Sequence, residues 1–122
     1  MSNSPTTSTQ TTMDPLVREK LVAKFNRAVE YITTNPASDK VTPQLQLTFY
    51  SLFKQATVGP NRTPAPSRVR MVDRLKWQAW KDLKNLSSEK AMIRYLNRLK
   101  EEDPEWKEKS KQPIKVHLRS KL

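Results

Sequence analysis

Apolar residues recur every three or four positions in four separate stretches of this chain, and no stretch sustains the strict alternation of a half-buried strand. The pattern predicts helices. The first stretch carries Leu21, Phe25, Ala28 and Ile32, and the second Leu45, Phe49, Leu52, Phe53 and Ala56. In the third, Val69, Val72, Leu75, Ala79, Leu83 and Leu86 predict one apolar face, with Trp77 and Trp80 on a neighbouring one. The fourth holds Ala91, Met92, Tyr95, Leu96 and Leu99. Punctuation surrounds each stretch. Asp14-Pro15 and Thr42-Pro43 place a capping acceptor before a proline at the first helical position, where the missing N–H is not needed. Ser67 is placed to cap the third helix, and Ser87 or Ser88 the fourth. Pro36 and Gly59-Pro60 mark stops, and Asp103-Pro104 ends the fourth helix or starts one more turn. Four amphipathic helices can hide their stripes only against one another, so the expected fold is all-α, a small four-helix bundle.

The 122 residues suit one domain. Residues 1–13 are almost purely Ser, Thr, Asn and Gln and are expected to be disordered. Residues 14–104 make the bundle. Residues 105–122 form a basic tail that contains His117, and within it Trp106 is suited to packing back on the bundle.

Several function classes fall away. Cysteine is absent, which removes disulfides, thiol nucleophiles and Cys-based zinc sites. Gly59 is the only glycine, so no glycine-rich phosphate cradle exists. No apolar run approaches the roughly 20 residues that cross a bilayer. The N-terminus lacks the basic start and apolar stretch of a secretory leader. No nucleophile–base pair is apparent, so neither an enzyme nor a metal site is expected. The formal net charge of +11 calls for an anionic partner. Specific nucleic-acid binding is not expected, because no such motif occurs and the tryptophans interleave with core positions; only salt-sensitive, non-specific attraction through the basic tail is.

Two positions on the helix surfaces draw notice. Leu47, Tyr50 and Lys54 share one column of the second helix. The column suits a ligand with an acyl part, polar linkers and a phosphate; it also describes a half-exposed helix with a snorkelling lysine. On the third, Arg70 and Arg74 stand four apart as like charges beside Lys76, which suits an anion or a solvated basic face.

The run from Phe49 to Gly59, Phe49-Tyr50-Ser51-Leu52-Phe53-Lys54-Gln55-Ala56-Thr57-Val58-Gly59, resembles the F-Y-x-L-(Y/F)-K-Q-A-T-x-G signature of the acyl-CoA-binding protein family. Lys76-Trp77-Gln78-Ala79-Trp80 resembles its K-W-x-A-W, and Ala91-Met92 with Tyr95 its A-M-x-x-Y, in the family's order and spacing. The resemblance implies an up-down-down-up bundle that binds fatty acyl-CoA without turnover, needs no cofactor and is usually monomeric. It implies that Tyr50, Lys54 and Lys76 hold the 3′-phosphate region of CoA, that Phe53 lies against adenine, and that Tyr95 lines the ligand. It further implies that Phe25, Ala28 and Val29 form the first-helix wall and that Leu47 touches the acyl chain. A family lysine near the end of the first helix is Thr33 or Thr34 here, and Arg70 or Arg74 is the candidate replacement. Ser120-Lys121-Leu122 matches the peroxisomal address, which predicts recognition by an import receptor and a location in the peroxisome matrix and also in the cytoplasm.

Overall fold

The computed structural model describes residues 13–34 and 41–111. It contains α1 (Pro15–Thr34), α2 (Pro43–Thr57), α3 (Met71–Lys81), α4 (Ser88–Glu102) and a final short α5 (Trp106–Ser110), with no strand among the described residues. The expected N-terminal disorder, the stop at Pro36 and the C-terminal tripeptide lie outside the described residues.

Three of the four caps operate where the sequence places them, and Ser67 does not, because Arg70 precedes the third helix. An oxygen of Asp14 accepts from the Leu16 amide at 2.8 Å, and the Thr42 hydroxyl accepts from the Leu45 amide at 3.1 Å. Ser87, rather than Ser88, caps α4 by accepting from the Lys90 amide. Ser88 instead donates to the Ala56 carbonyl and ties the start of α4 to the end of α2.

Cross-helix contacts fix the directions. Arg18 meets Glu89 where α1 and α4 begin, and Tyr31 donates to Asp103 where both end, so these helices run parallel. The Ser88–Ala56 bond makes α2 antiparallel to α4. Lys54 lies on Trp80 and Tyr50 on Lys76, so α2 and α3 run parallel. The order is up, down, down, up. Parallel neighbours cannot be joined by a tight turn. The chain must travel back along the bundle between Thr57 and Met71, and this explains the long connection there.

The core lies between α1, α2 and α4. Phe25, Ala28, Leu45, Phe49, Leu52, Ala56, Ala91, Met92, Tyr95 and Leu99 are buried in it. Tyr95 is the hub, with its ring 5.0 Å from Phe25 edge-on and 4.9 Å from Phe49. Gln55 is fully buried and donates from Nε2 to the carbonyls of Lys84 and Leu86. Those carbonyls belong to the turn after α3, where Lys84 takes a left-handed φ of 55°.

The structure departs from the sequence reading at α3 and at the tail. The third helix starts at Met71, not at Ser67, and ends at Lys81. Leu83 and Leu86 therefore lie past it in the turn, packed against the core. Val69, Val72 and Leu75 do not form a buried face; they point to solvent, and Trp80 is the buried residue of α3. The physical reason is that α3 is seated mainly against α2, so one narrow side is enough to hold it. At the other end, packed structure continues beyond Pro104. Trp106 on α5 is 2% exposed, packs at 6.3 Å from Tyr31 and joins the core cluster.

Candidate functional site

The α2–α3 seam is where Tyr50, Lys54 and Lys76 converge. Tyr50 and Lys54 lie one turn apart on α2, and Lys76 and Trp80 one turn apart on the parallel α3. Each ammonium sits over a ring of the other helix. Lys54 Nζ is 5.0 Å from the centre of Trp80, and Lys76 Nζ is 5.2 Å from the centre of Tyr50. These crossed cation–π contacts hold two positive charges at one edge of the bundle. Neither lysine forms an ion pair or hydrogen bond among the described residues.

Leu47 is half-buried one turn before Tyr50, in the same α2 column. Phe53 is also half-buried, and its ring stacks nearly parallel on Phe25 at 6.4 Å and 19°. Val29 is partly buried against the core, while Phe25 and Ala28 are buried within it. Thus Phe25 and Ala28 stand behind the surface that Phe53 and Val29 present. Tyr95 is likewise buried, and burial raises its phenol well above the usual value. Its hydroxyl nevertheless has no hydrogen-bond partner among the described residues.

The seam is set by a loop that α3 fastens to itself. Trp77 Nε1 donates to the Thr63 carbonyl at 2.9 Å, and Trp80 Nε1 to the Gly59 carbonyl at 2.8 Å. Asn61 is buried and donates to the Trp77 carbonyl at 3.0 Å, while Lys81 donates to the Asn61 carbonyl. Both tryptophans therefore act through their N–H as well as their rings. Motif reading located Trp77 and Trp80 but not these tasks, and nothing in the sequence singles out Asn61.

The candidate replacements for the first-helix cation are committed elsewhere. Arg70 pairs with Asp73 at 2.6 Å, and Arg74 donates to the Pro66 carbonyl at 2.9 Å while lying over Trp77. On α3, at about 100° per residue, positions 74 and 76 lie on opposite sides of the helix. Arg74 therefore does not join Lys76. The Arg70–Arg74 repulsion expected from sequence is also relieved by Asp73 and the Pro66 carbonyl. Thr33 and Thr34 donate to the Glu30 carbonyl, as uncharged side chains at the end of α1.

Such a bundle, with two cations on one seam and half-buried aromatic and apolar side chains beside them, has the features of a binding scaffold for a ligand with an anionic end and an apolar body. Comparison with known proteins narrows this. The family model for acyl-CoA-binding protein matches residues 22–99. Acyl-CoA-binding protein homolog 3 of Caenorhabditis elegans is 41% identical over 81 residues, which is 65% of this chain and 70% of that protein. Acyl-CoA-binding domain-containing protein 5 of Xenopus tropicalis is 42% identical over 79 residues, 63% of this chain but only 17% of its own length. The crystal structure of Oryza sativa acyl-CoA-binding protein 2 superposes with a TM-score of 0.67 at 33% identity, covering 74% of this chain and 96% of that one. The chain belongs to the acyl-CoA-binding protein family.

Proposed function

We propose that this protein binds long-chain fatty acyl-CoA esters non-covalently and serves as their carrier in peroxisomal fatty-acid metabolism. The observation that carries the reading is the crossed pair at the α2–α3 seam. Lys54 on α2 and Lys76 on the parallel α3 form no ion pair among the described residues, and each is positioned by an aromatic ring of the other helix. A phosphate needs converging cations, and lysine serves as a point charge approachable from any direction. Tyr50, Lys54 and Lys76 take the 3′-phosphate region, and adenine lies on Phe53, backed by the stacked Phe25. Val29 borders that pocket and Tyr95 offers its unpartnered hydroxyl from below, while Leu47 meets the acyl chain. Each buried methylene contributes about 0.8 kcal/mol, so affinity climbs with chain length until the groove is full. The protein does no chemistry on the thioester and works as a monomer. Ser120-Lys121-Leu122 supplies the address read by an import receptor.

Calorimetric titration with palmitoyl-CoA, free CoA and palmitate tests the binding. Tight 1:1 binding of the thioester, with both halves much weaker, supports the reading; no binding of the thioester overturns it. Location is tested separately by imaging the full chain with and without its last three residues. Unchanged distribution would remove the peroxisomal role and leave the carrier.

A further inference from the structure

A second gathering of positive charge lies away from the α2–α3 seam, where α1 meets α5 and the end of α4. Positions 24, 27 and 31 of α1 fall within about 60° of one another at about 100° per residue. Tyr31 shows which way that side faces, since its hydroxyl donates to Asp103 and its ring packs near Trp106. Val29 lies about 140° round the helix from Lys24, on a different side. α5 is pinned to α1 by the buried Trp106 and by Arg27, whose Nη2 donates to Ser110 Oγ at 2.9 Å and to the Lys107 carbonyl at 3.4 Å. The pinning sets the Lys107 side chain within hydrogen-bonding reach of Lys24. That contact first, then partial burial, then the charges of Lys107, Lys100 and Arg27, hold the Lys24 ammonium below its usual value.

Lys24, Arg27, Lys100 and Lys107 form no ion pair among the described residues. The carboxylates of the last turn of α4, of its cap and of α5 are committed to other cations. Glu101 and Glu102 pair with Arg98, Asp103 with Lys109, and Glu108 with Lys111. Within α1, Glu19 and Glu30 lie about 120° or more round the helix from Lys24. The fold therefore holds like charges together against their repulsion, and an anion entering between them would relieve it. Each ammonium is a point charge with three donors, and the three come from three different helices. Such a set suits a compact ion with several negative oxygens. An extended acidic chain needs its cations in a row.

We propose that Lys24, Lys100 and Lys107, with the charge of Arg27 beside them, form a second anion site on the α1–α4–α5 side of the bundle, for a compact polyanion of the phosphate class such as pyrophosphate or the polyphosphate end of a nucleotide. Arg27 is already bound to α5 and contributes its charge, while the three lysines supply free donors. The site stands apart from the acyl-CoA reading, because none of these residues belongs to the seam and pyrophosphate carries neither adenine nor an acyl chain.

The test follows the thermal midpoint of the full chain with inorganic pyrophosphate, and with sodium chloride at the same ionic strength. Pyrophosphate is expected to raise the midpoint above the chloride value. Lys54→Ala with Lys76→Ala strips the seam and should keep most of that rise. Lys24→Gln with Lys107→Gln should lose most of it, with calorimetric affinity for pyrophosphate down about tenfold. Both lysines are exposed, and without the anion this variant should melt no lower than the parent, because repelling charges are gone. Its affinity for palmitoyl-CoA should match the parent's. ATP measured beside pyrophosphate separates the sources: equal affinity assigns the site to the phosphates alone, and tighter binding to a nucleotide's phosphate end. A rise that the glutamine variant keeps in full, that the seam variant loses, or that chloride matches would overturn the site. So would a polyglutamate peptide that binds these lysines more tightly than pyrophosphate does, since the face would then belong to an acidic protein.

Discussion

α3 and α4 carry apolar residues at the same helical spacing, yet they use them in opposite ways. α4 turns Ala91, Met92, Tyr95 and Leu99 inward, and all four are buried. α3 turns Met71, Val72 and Leu75 outward, and is seated by Trp80, by two crossed cation–π contacts and by hydrogen bonds to its own incoming loop. One helix is packed and the other is fastened. A packed helix resists change because its contacts are many and non-directional. A fastened helix is held by a few directional contacts and keeps a face free for ligands and surfaces. The two halves of this molecule are therefore a core, made by α1, α2, α4 and α5, and a working edge along α2 and α3.

The largest effect should come from the packed side. Trp106→Ala removes a buried ring that bridges α5 to Tyr31 on α1, and large aromatic truncations in cores cost about 3–5 kcal/mol. Val72→Ala removes exposed carbon and should lie within about 0.5 kcal/mol of the parent. Urea unfolding of both variants checks the contrast; similar losses would mean that α3 is packed after all. The working edge should answer in binding. Lys54→Ala and Lys76→Ala each remove a charge-assisted contact worth about 1.5–3 kcal/mol, roughly ten- to a hundredfold in palmitoyl-CoA affinity. Their urea midpoints should stay near the parent's. Calorimetry beside unfolding separates the two roles, and a lysine variant that bound normally would remove that lysine from the site.

The same division decides what could be read from the sequence. Leu45, Phe49, Leu52 and Ala56, and Ala91, Tyr95 and Leu99, were legible because a buried stripe must repeat with the helix. The caps at Asp14 and Thr42 were legible because proline and a side-chain oxygen have few other reasons to adjoin. Periodicity failed at α3, where Val69, Val72 and Leu75 repeat as a buried face would but are exposed. Spacing reports that a helix has an apolar side; it does not report what covers that side. The candidate site was legible in part from the Leu47–Tyr50–Lys54 column and otherwise through the family resemblance. Their mutual placement was not, since Lys54 on Trp80 and Lys76 on Tyr50 depend on the parallel run of α2 and α3. α5 was legible only as the further turn that Asp103-Pro104 could start and through Trp106, because five residues are too few to show a period.

Acid should loosen the packed side first, which sharpens the comparison by reversing the order of strength. α1 and α4 are joined by carboxylates at both ends. The hydrogen bond from Arg18 holds Glu89 below the usual carboxylate value. Burial pushes Asp103 upward, but hydrogen bonds from Tyr31 and Lys109 together outweigh it and hold that carboxyl low. A depressed folded pKa gives stability that is complete above the unfolded values near about 4, and that is lost as pH falls through the lowered ones. Tyr31 sets the opposite limit. Burial, then Asp103, raises its phenol to about 12, so its contribution is whole below its ordinary value and fades as pH rises through the raised one. The bonds from Trp77, Trp80 and Asn61 do not titrate in the acid range. Amide exchange at falling pH should expose α1 and α4 before α3 separates from its loop, and Asp103→Asn should flatten the profile. An acid response that began in α3 would contradict the assignment of charges to the packed side.

Gly59 offers the smallest and most local way to probe the fastened helix. Its φ is 105°, in the region that side chains rarely adopt, yet a Cβ built there meets nothing within 4 Å. Glycine is therefore required by backbone conformation and not by space. Alanine at this position must bear the strain or move the peptide, and should cost about 1 kcal/mol or somewhat more. The Gly59 carbonyl accepts from Trp80 Nε1, so a shift of that peptide is felt directly by the residue on which Lys54 rests. Gly59→Ala should then raise amide exchange along α3 while leaving α4 unchanged, and weaken palmitoyl-CoA binding by a few-fold through Lys54 alone. The further change Lys54→Ala should weaken binding less in the Gly59→Ala background than in the parent, because part of its contact is already lost. Full additivity of the two substitutions would mean that the loop holds α3 in place without positioning the lysine.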